Sequence, residues 1–129
     1  MRFGYTIVYV ADVPAALAFY RRAFGFETRF LHESEGYGEL ETGGTALAFA
    51  AHAVASGNLP GGYTPLADGA KPAGMEVGFV TDDVPAAFAR AVAAGATPLS
   101  PPATKPWGQT VAYVRAPEGT LVEICTPVG

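Results

Sequence analysis

The sequence predicts an α+β protein of two tandem β-α-β-β-β modules whose curved mixed sheets form around a cavity. Three observations predict it. Asp12-Val13-Pro14-Ala15-Ala16 recurs verbatim 71 residues later as Asp83-Val84-Pro85-Ala86-Ala87. The residues around each copy follow the same course, a β-prone run before it and a helical period after it. A second match, Gly44 to Phe49 over Gly119 to Ile124, falls at an offset of 75 near the end of each half. Repeats of this period mark duplicated supersecondary units.

In each half the first strand precedes the shared aspartate: Thr6 to Val10 in the first and Val77 to Thr81 in the second. Asp12 and Asp83 then supply side-chain acceptors for free helix N–H groups, and Pro14 and Pro85 sit in the first turn, where the missing donor costs nothing. The helices run over Ala15 to Phe24 and Ala86 to Ala94, with Leu17, Tyr20 and Phe24 on one apolar stripe and Phe88, Ala91 and Val92 on the other. Gly25 and Gly95 end them.

Three further strands are expected in each half. They are Glu27 to His32, Tyr37 to Glu41 and Thr45 to Ala50, then Thr97 to Leu99, Gln109 to Arg115 and Thr120 to Cys125. Glu35-Gly36, Gly43-Gly44 and Glu118-Gly119 mark turns between them. Tyr37-Gly38-Glu39 is laid over Trp107-Gly108-Gln109 as a third match. The modules then cover residues 1–52 and 75–129 of one domain, and the Gly- and Pro-rich stretch 53–74 reads as a linker and lid without a period of its own.

Composition narrows the function. Half of the 129 residues are hydrophobic, enough for a real core, and only 16% are charged, below the usual quarter or so, which points to a surface hidden in a subunit contact. The net charge of −4 comes without a basic stripe, so nucleic-acid binding is not expected. Cys125 is the only cysteine, which excludes an intramolecular disulfide and a cysteine-rich zinc site. Neither a signal peptide nor an apolar run of membrane-spanning length is evident, so the expected compartment is the cytoplasm.

Equivalent positions of duplicated half-sheets point into a shared hollow, so the informative positions are those where one copy is polar and the other is not. Tyr5 corresponds to Glu76, and Ala48 to Glu123. A carboxylate in such an apolar setting needs a cation, an arginine or a shared proton. Glu76 and Glu123 could therefore bind a hard divalent ion or act as acid and base; equally, Glu123 could face solvent with Leu121 and Cys125. Trp107, at a Pro-Trp-Gly corner, either walls a small-molecule pocket or packs beneath the loop Pro98 to Pro106. His32 and His52 lack ligand spacing, and no phosphate loop, His-Glu-x-x-His or nucleophile signature is present.

The doubled pattern resembles the vicinal oxygen chelate superfamily, which includes glyoxalase I, bleomycin-resistance proteins and extradiol dioxygenases. The resemblance rests on Tyr5-Thr6-Ile7-Val8-Tyr9-Val10-Ala11-Asp12-Val13, on Phe19 to Phe26, and on Pro106-Trp107-Gly108-Gln109 together with Tyr113 to Glu123. It implies a homodimer with cavities formed between paired modules and, in the enzymes, a divalent metal there. The four metal positions carry over to Tyr5, Ala48, Glu76 and Glu123, where only the two glutamates match carboxylate ligands. Tyr5 offers only a phenol, a poor ligand, and Ala48 offers no donor.

The expected function is binding of a small organic ligand in the module-lined cavity, as in the bleomycin-resistance branch, without a tight transition metal. Tyr5, Ala48, Glu76, Trp107 and Glu123 would line the site, and its acids favour a cationic or hydrogen-bond-donating ligand. The alternative is a lyase, isomerase or dioxygenase-like reaction assisted by weakly held Mg²⁺ or Mn²⁺, with Glu76 or Glu123 as general base and Tyr5 as proton donor. A dimerising scaffold with a vestigial cavity is a third possibility.

Overall fold

In the computed structural model, which describes residues 1–128, the chain divides into two compact units, Met1–Pro65 and the residues from Leu66 onward. The first unit runs β1 (Tyr5–Val10), α1 (Val13–Phe24), β2 (Thr28–Leu31), β3 (Tyr37–Leu40), β4 (Ala46–Ala51) and α2 (His52–Asn58). The second runs β5 (Glu76–Val80), α3 (Val84–Ala93), β6 (Thr97–Thr104), β7 (Thr110–Arg115) and β8 (Leu121–Cys125). Each unit holds one mixed four-stranded sheet, ordered β1-β4-β3-β2 in the first and β5-β8-β7-β6 in the second. The first and last strands of each module are parallel neighbours, and the remaining pairs are antiparallel.

The repeated aspartates cap the helices as expected. Asp12 accepts from the Ala15 amide at 3.0 Å and Asp83 from the Ala86 amide at 3.1 Å. At the other end Gly25 adopts φ 80°, and Gly95, one residue beyond the last cap, adopts φ 120°. The helix α1 buries Val13, Ala16, Leu17, Phe19, Tyr20 and Ala23, with the Tyr20 ring 5.0 Å from that of Phe49 on β4. Gly38 lets it approach β3, because a Cβ there would lie 2.8 Å from Leu17 Cδ1 and 3.1 Å from Val13 Cγ1. In the second unit α3 packs on β6, β7 and β8, over the buried Ala112, Val114, Val122 and Ile124.

Three sequence expectations are corrected. The stretch 53–74 is not without structure, since α2 occupies its first residues. This helix buries only Ala55, and one anchored side chain in seven residues leaves no readable period. The strand β6 extends five residues past Leu99 despite Pro101 and Pro102. It is an edge strand with two register shifts, where prolines need not donate to a neighbour. Finally, Tyr37-Gly38-Glu39 does not match Trp107-Gly108-Gln109. Glu39 pairs with Ala48, and Tyr113 pairs with Glu123, so the register matches Glu39 to Tyr113.

The start of the second unit is clamped. Arg115 donates to the carbonyls of Gly69 at 2.9 Å and Leu66 at 2.8 Å, and Gly119 lies beneath the same segment with φ 104°. A Cβ at Gly119 would overlap the Leu66 carbonyl. This part of the stretch read as a lid is thus tied to the sheet it precedes. Replacing Gly119 by Ala is expected to destabilise the protein by about 2 kcal/mol or more, from backbone strain and overlap together. Denaturant unfolding measures it; an unchanged midpoint would mean that the segment moves aside freely.

Candidate functional site

Strand register decides which side chains share a face. In the second unit Glu76 lies opposite Leu121, Gly78 opposite Glu123 and Val80 opposite Cys125, while Tyr113 on β7 pairs with Glu123 from the other side. Because side chains alternate along a strand, Glu76, Glu123, Tyr113 and Cys125 all project from the face away from α3. Val77, Phe79, Val122 and Ile124 take the helix face. The two glutamates therefore stand on adjacent strands of one face, separated diagonally across Gly78.

The face has an ordered polar arrangement. Tyr113 donates its phenolic proton to Glu123 Oε1 at 3.2 Å. Burial raises the Glu76 pKa above its ordinary value, and the Glu123 charge raises it further. Tyr113 and Cys125 are also raised, in both cases first by burial and then by Glu123. Partial desolvation and the like charge of Glu123 thus act together in raising the Glu76 pKa.

The matching face of the first unit differs in chemistry. Tyr5, Ile7 and Tyr9 of β1 pair with Ala46, Ala48 and Ala50 of β4, and Glu39 of β3 lies across from Ala48. Tyr5 is 58% exposed on an edge strand, whereas the Ala48 methyl is fully buried. Here the carboxylate is Glu39, which accepts from Tyr37 at 2.7 Å and lies 3.9 Å from Arg29. Burial, and then the bond to Glu39, raise the Tyr37 pKa. Glu39, Tyr37 and Tyr113 were missed by sequence reasoning, and the correct repeat register, with Glu39 over Tyr113, is the signal that finds them.

The remaining aromatic and imidazole candidates have local partners. Trp107 is 66% exposed in the turn between β6 and β7 and donates from its indole to Gln109 Oε1 at 2.9 Å, so it does not pack beneath the proline-rich loop. His52 shares a 2.6 Å hydrogen bond with Tyr63, and His32 one of 2.7 Å with Ser34. A cleft of about 590 Å³ between α1 and β2 is lined by Leu17, Arg21, Arg22 and Leu31 and lies apart from Tyr5 and Ala48.

The chain belongs to the glyoxalase/bleomycin resistance protein/dioxygenase superfamily, whose sequence profile matches residues 2–124. Solved structures agree on the fold. A glyoxalase-related enzyme from Fulvimarina pelagi aligns with a TM-score of 0.82 at 22% identity, covering 98% of this chain and 88% of that one. A glyoxalase/bleomycin resistance protein/dioxygenase family enzyme from Burkholderia phytofirmans PsJN aligns with a TM-score of 0.74 at 27% identity, over 95% and 96% of the two chains. TioX from Micromonospora sp. ML1 aligns with a TM-score of 0.71 at 24% identity, over 98% of each. No curated protein matches the chain.

The divalent metal that the family implies can be tested against the donors at the four positions to which the sequence resemblance carries it. They are a phenol at Tyr5, a buried methyl at Ala48 and carboxylates at Glu76 and Glu123. Among the described residues, no group of three His, Cys, Asp or Glu side chains is placed to hold an ion. This set does not fit a tight transition-metal centre, which requires three or more protein ligands of imidazole, thiolate or carboxylate type.

The Glu76 shift has a definite sign in stability. Its folded pKa lies above the unfolded value, so the folded state holds the proton more tightly and stability falls as pH rises through that interval. Glu76→Gln is expected to raise the melting temperature near pH 7 and to leave it unchanged well below pH 4, where the carboxyl is protonated in both states. Thermal melts at the two pH values measure this; an equal effect at both would remove the ionisation account.

Proposed function

We propose that the protein binds a small organic ligand, without a tight transition metal, in the manner of the sequestering branch of its superfamily, and that the face of the second module carrying Glu76 and Glu123 receives it. The observation that carries this reading is the donor set: the second module offers two glutamates and a tyrosine on one face, while the first offers Tyr5 and a shielded alanine at the matching positions. Glu76 and Glu123, which share one face of the second module's sheet, are the side chains that contact the ligand in this reading. The chain acts as a cytoplasmic homodimer in this reading. The exposed apolar Tyr5 and Ile7 on the edge strand β1 support a subunit contact, and no described helix is long and apolar enough to cross a membrane.

The competing reading is a lyase, isomerase or dioxygenase-like reaction assisted by Mg²⁺ or Mn²⁺, favoured by the juxtaposition of Glu76 with Glu123. Equilibrium binding to a panel of cationic and aromatic compounds, with and without chelator, separates the two. Binding with the same affinity in both conditions is expected. Binding that vanishes with chelator and returns on adding Mg²⁺ or Mn²⁺ would replace the first reading with the second.

A further inference from the structure

We propose that Gly78 sets which ligands this face accepts: its missing side chain leaves a notch beside Glu123 that seats the protonated nitrogen of an amidine, guanidine or amine. The proposal rests on the reading of the face as a ligand-binding surface and names the chemical class it selects.

Glycine within a strand weakens it and is usually explained by backbone geometry or close packing. Neither applies here. Gly78 is not among the glycines of positive φ, in contrast to Gly119. A Cβ at Gly78 would meet one heavy atom within 4 Å apart from its chain neighbours, Glu123 Oε2 at 3.5 Å, an ordinary contact. Gly38, by comparison, is required by the approach of Leu17 and Val13. Gly78 could thus carry a side chain without strain, and what its absence creates is exposed space in front of a carboxylate.

The geometry of Glu123 fits that space. Tyr113 donates to Oε1, while Oε2 is the oxygen turned toward Gly78. Glu76, two residues earlier on the same strand and face, flanks the notch with a second carboxyl group. A planar amidinium or guanidinium can donate to a carboxylate through two N–H groups, and an ammonium through one. The first module supplies an internal comparison. Ile7 occupies the position of Gly78 and pairs with Ala48, the position of Glu123, so the copy without the carboxylate also fills the gap. The side-chain deletion and the charge occur together.

Binding of benzamidine and of neutral benzamide to the wild-type protein, Gly78→Ala and Gly78→Ile tests the proposal. The wild type is expected to prefer benzamidine. Gly78→Ile should weaken benzamidine binding by about tenfold or more, by taking its place against Glu123, with a smaller loss for Gly78→Ala and little change for benzamide. Thermal melts should show no loss of stability in either variant, because a strand gains by losing its glycine. Undiminished benzamidine binding by a folded Gly78→Ile, or equal wild-type affinity for both probes, would overturn the notch while leaving ligand binding itself in place. A wild type that binds neither these probes nor any of the wider panel would overturn both.

Discussion

The parallel pairing of the first and last strands of the second module is the constraint on which the candidate site depends. A shift of one residue between β5 and β8 would send Glu123 to the helix face, where Val122 and Ile124 now pack, and would leave a charge in an apolar core. The buried valines and isoleucine under α3 therefore fix the register, and the register fixes the glutamates. Packing on one side of the sheet determines the chemistry on the other.

The two modules show how one scaffold carries two different surfaces. Their helices share the same Asp-Val-Pro-Ala-Ala start and the same capping bond, and their sheets share one strand order. The faces away from the helices have diverged. In the first, a column of three alanines is flanked by Tyr5, Ile7 and Tyr9, and the carboxylate of Glu39, across from Ala48, is held by Tyr37 on its own strand. In the second, glutamates stand where Tyr5 and Ala48 would be, a tyrosine on the adjoining strand holds one of them, and a glycine replaces the isoleucine. Polar groups on this face stay partly solvated, which lets them change without dismantling the core.

Much of this was legible before any coordinates. The verbatim repeat and its aspartate caps gave the helices to within two residues at their starts, and the match of Gly44 to Gly119 placed the last strands and with them Ala48 against Glu123. Other features lacked a signal of the right kind. The helix α2 has one buried residue, too few for periodicity, and β6 runs through prolines that only an edge strand accepts. The middle strands differ in loop length between copies, so aligning Tyr37 with Trp107 by similarity hid the true pair, Glu39 with Tyr113. Gly78 follows Glu76 by two residues in the sequence, but its relation to Glu123 required the cross-strand register.

The central claim is that Glu76 and Glu123 feel one another across a shared face of one sheet. The most direct measurement is an NMR titration of the Glu76 side-chain carboxyl in chelator-treated protein, in the wild type and in Glu123→Gln. The account predicts a wild-type midpoint above the ordinary carboxylate range that falls toward it, without reaching it, when Glu123 loses its charge, because burial contributes the larger part of the shift. An ordinary Glu76 midpoint in the wild type, unmoved by Glu123→Gln, would contradict it.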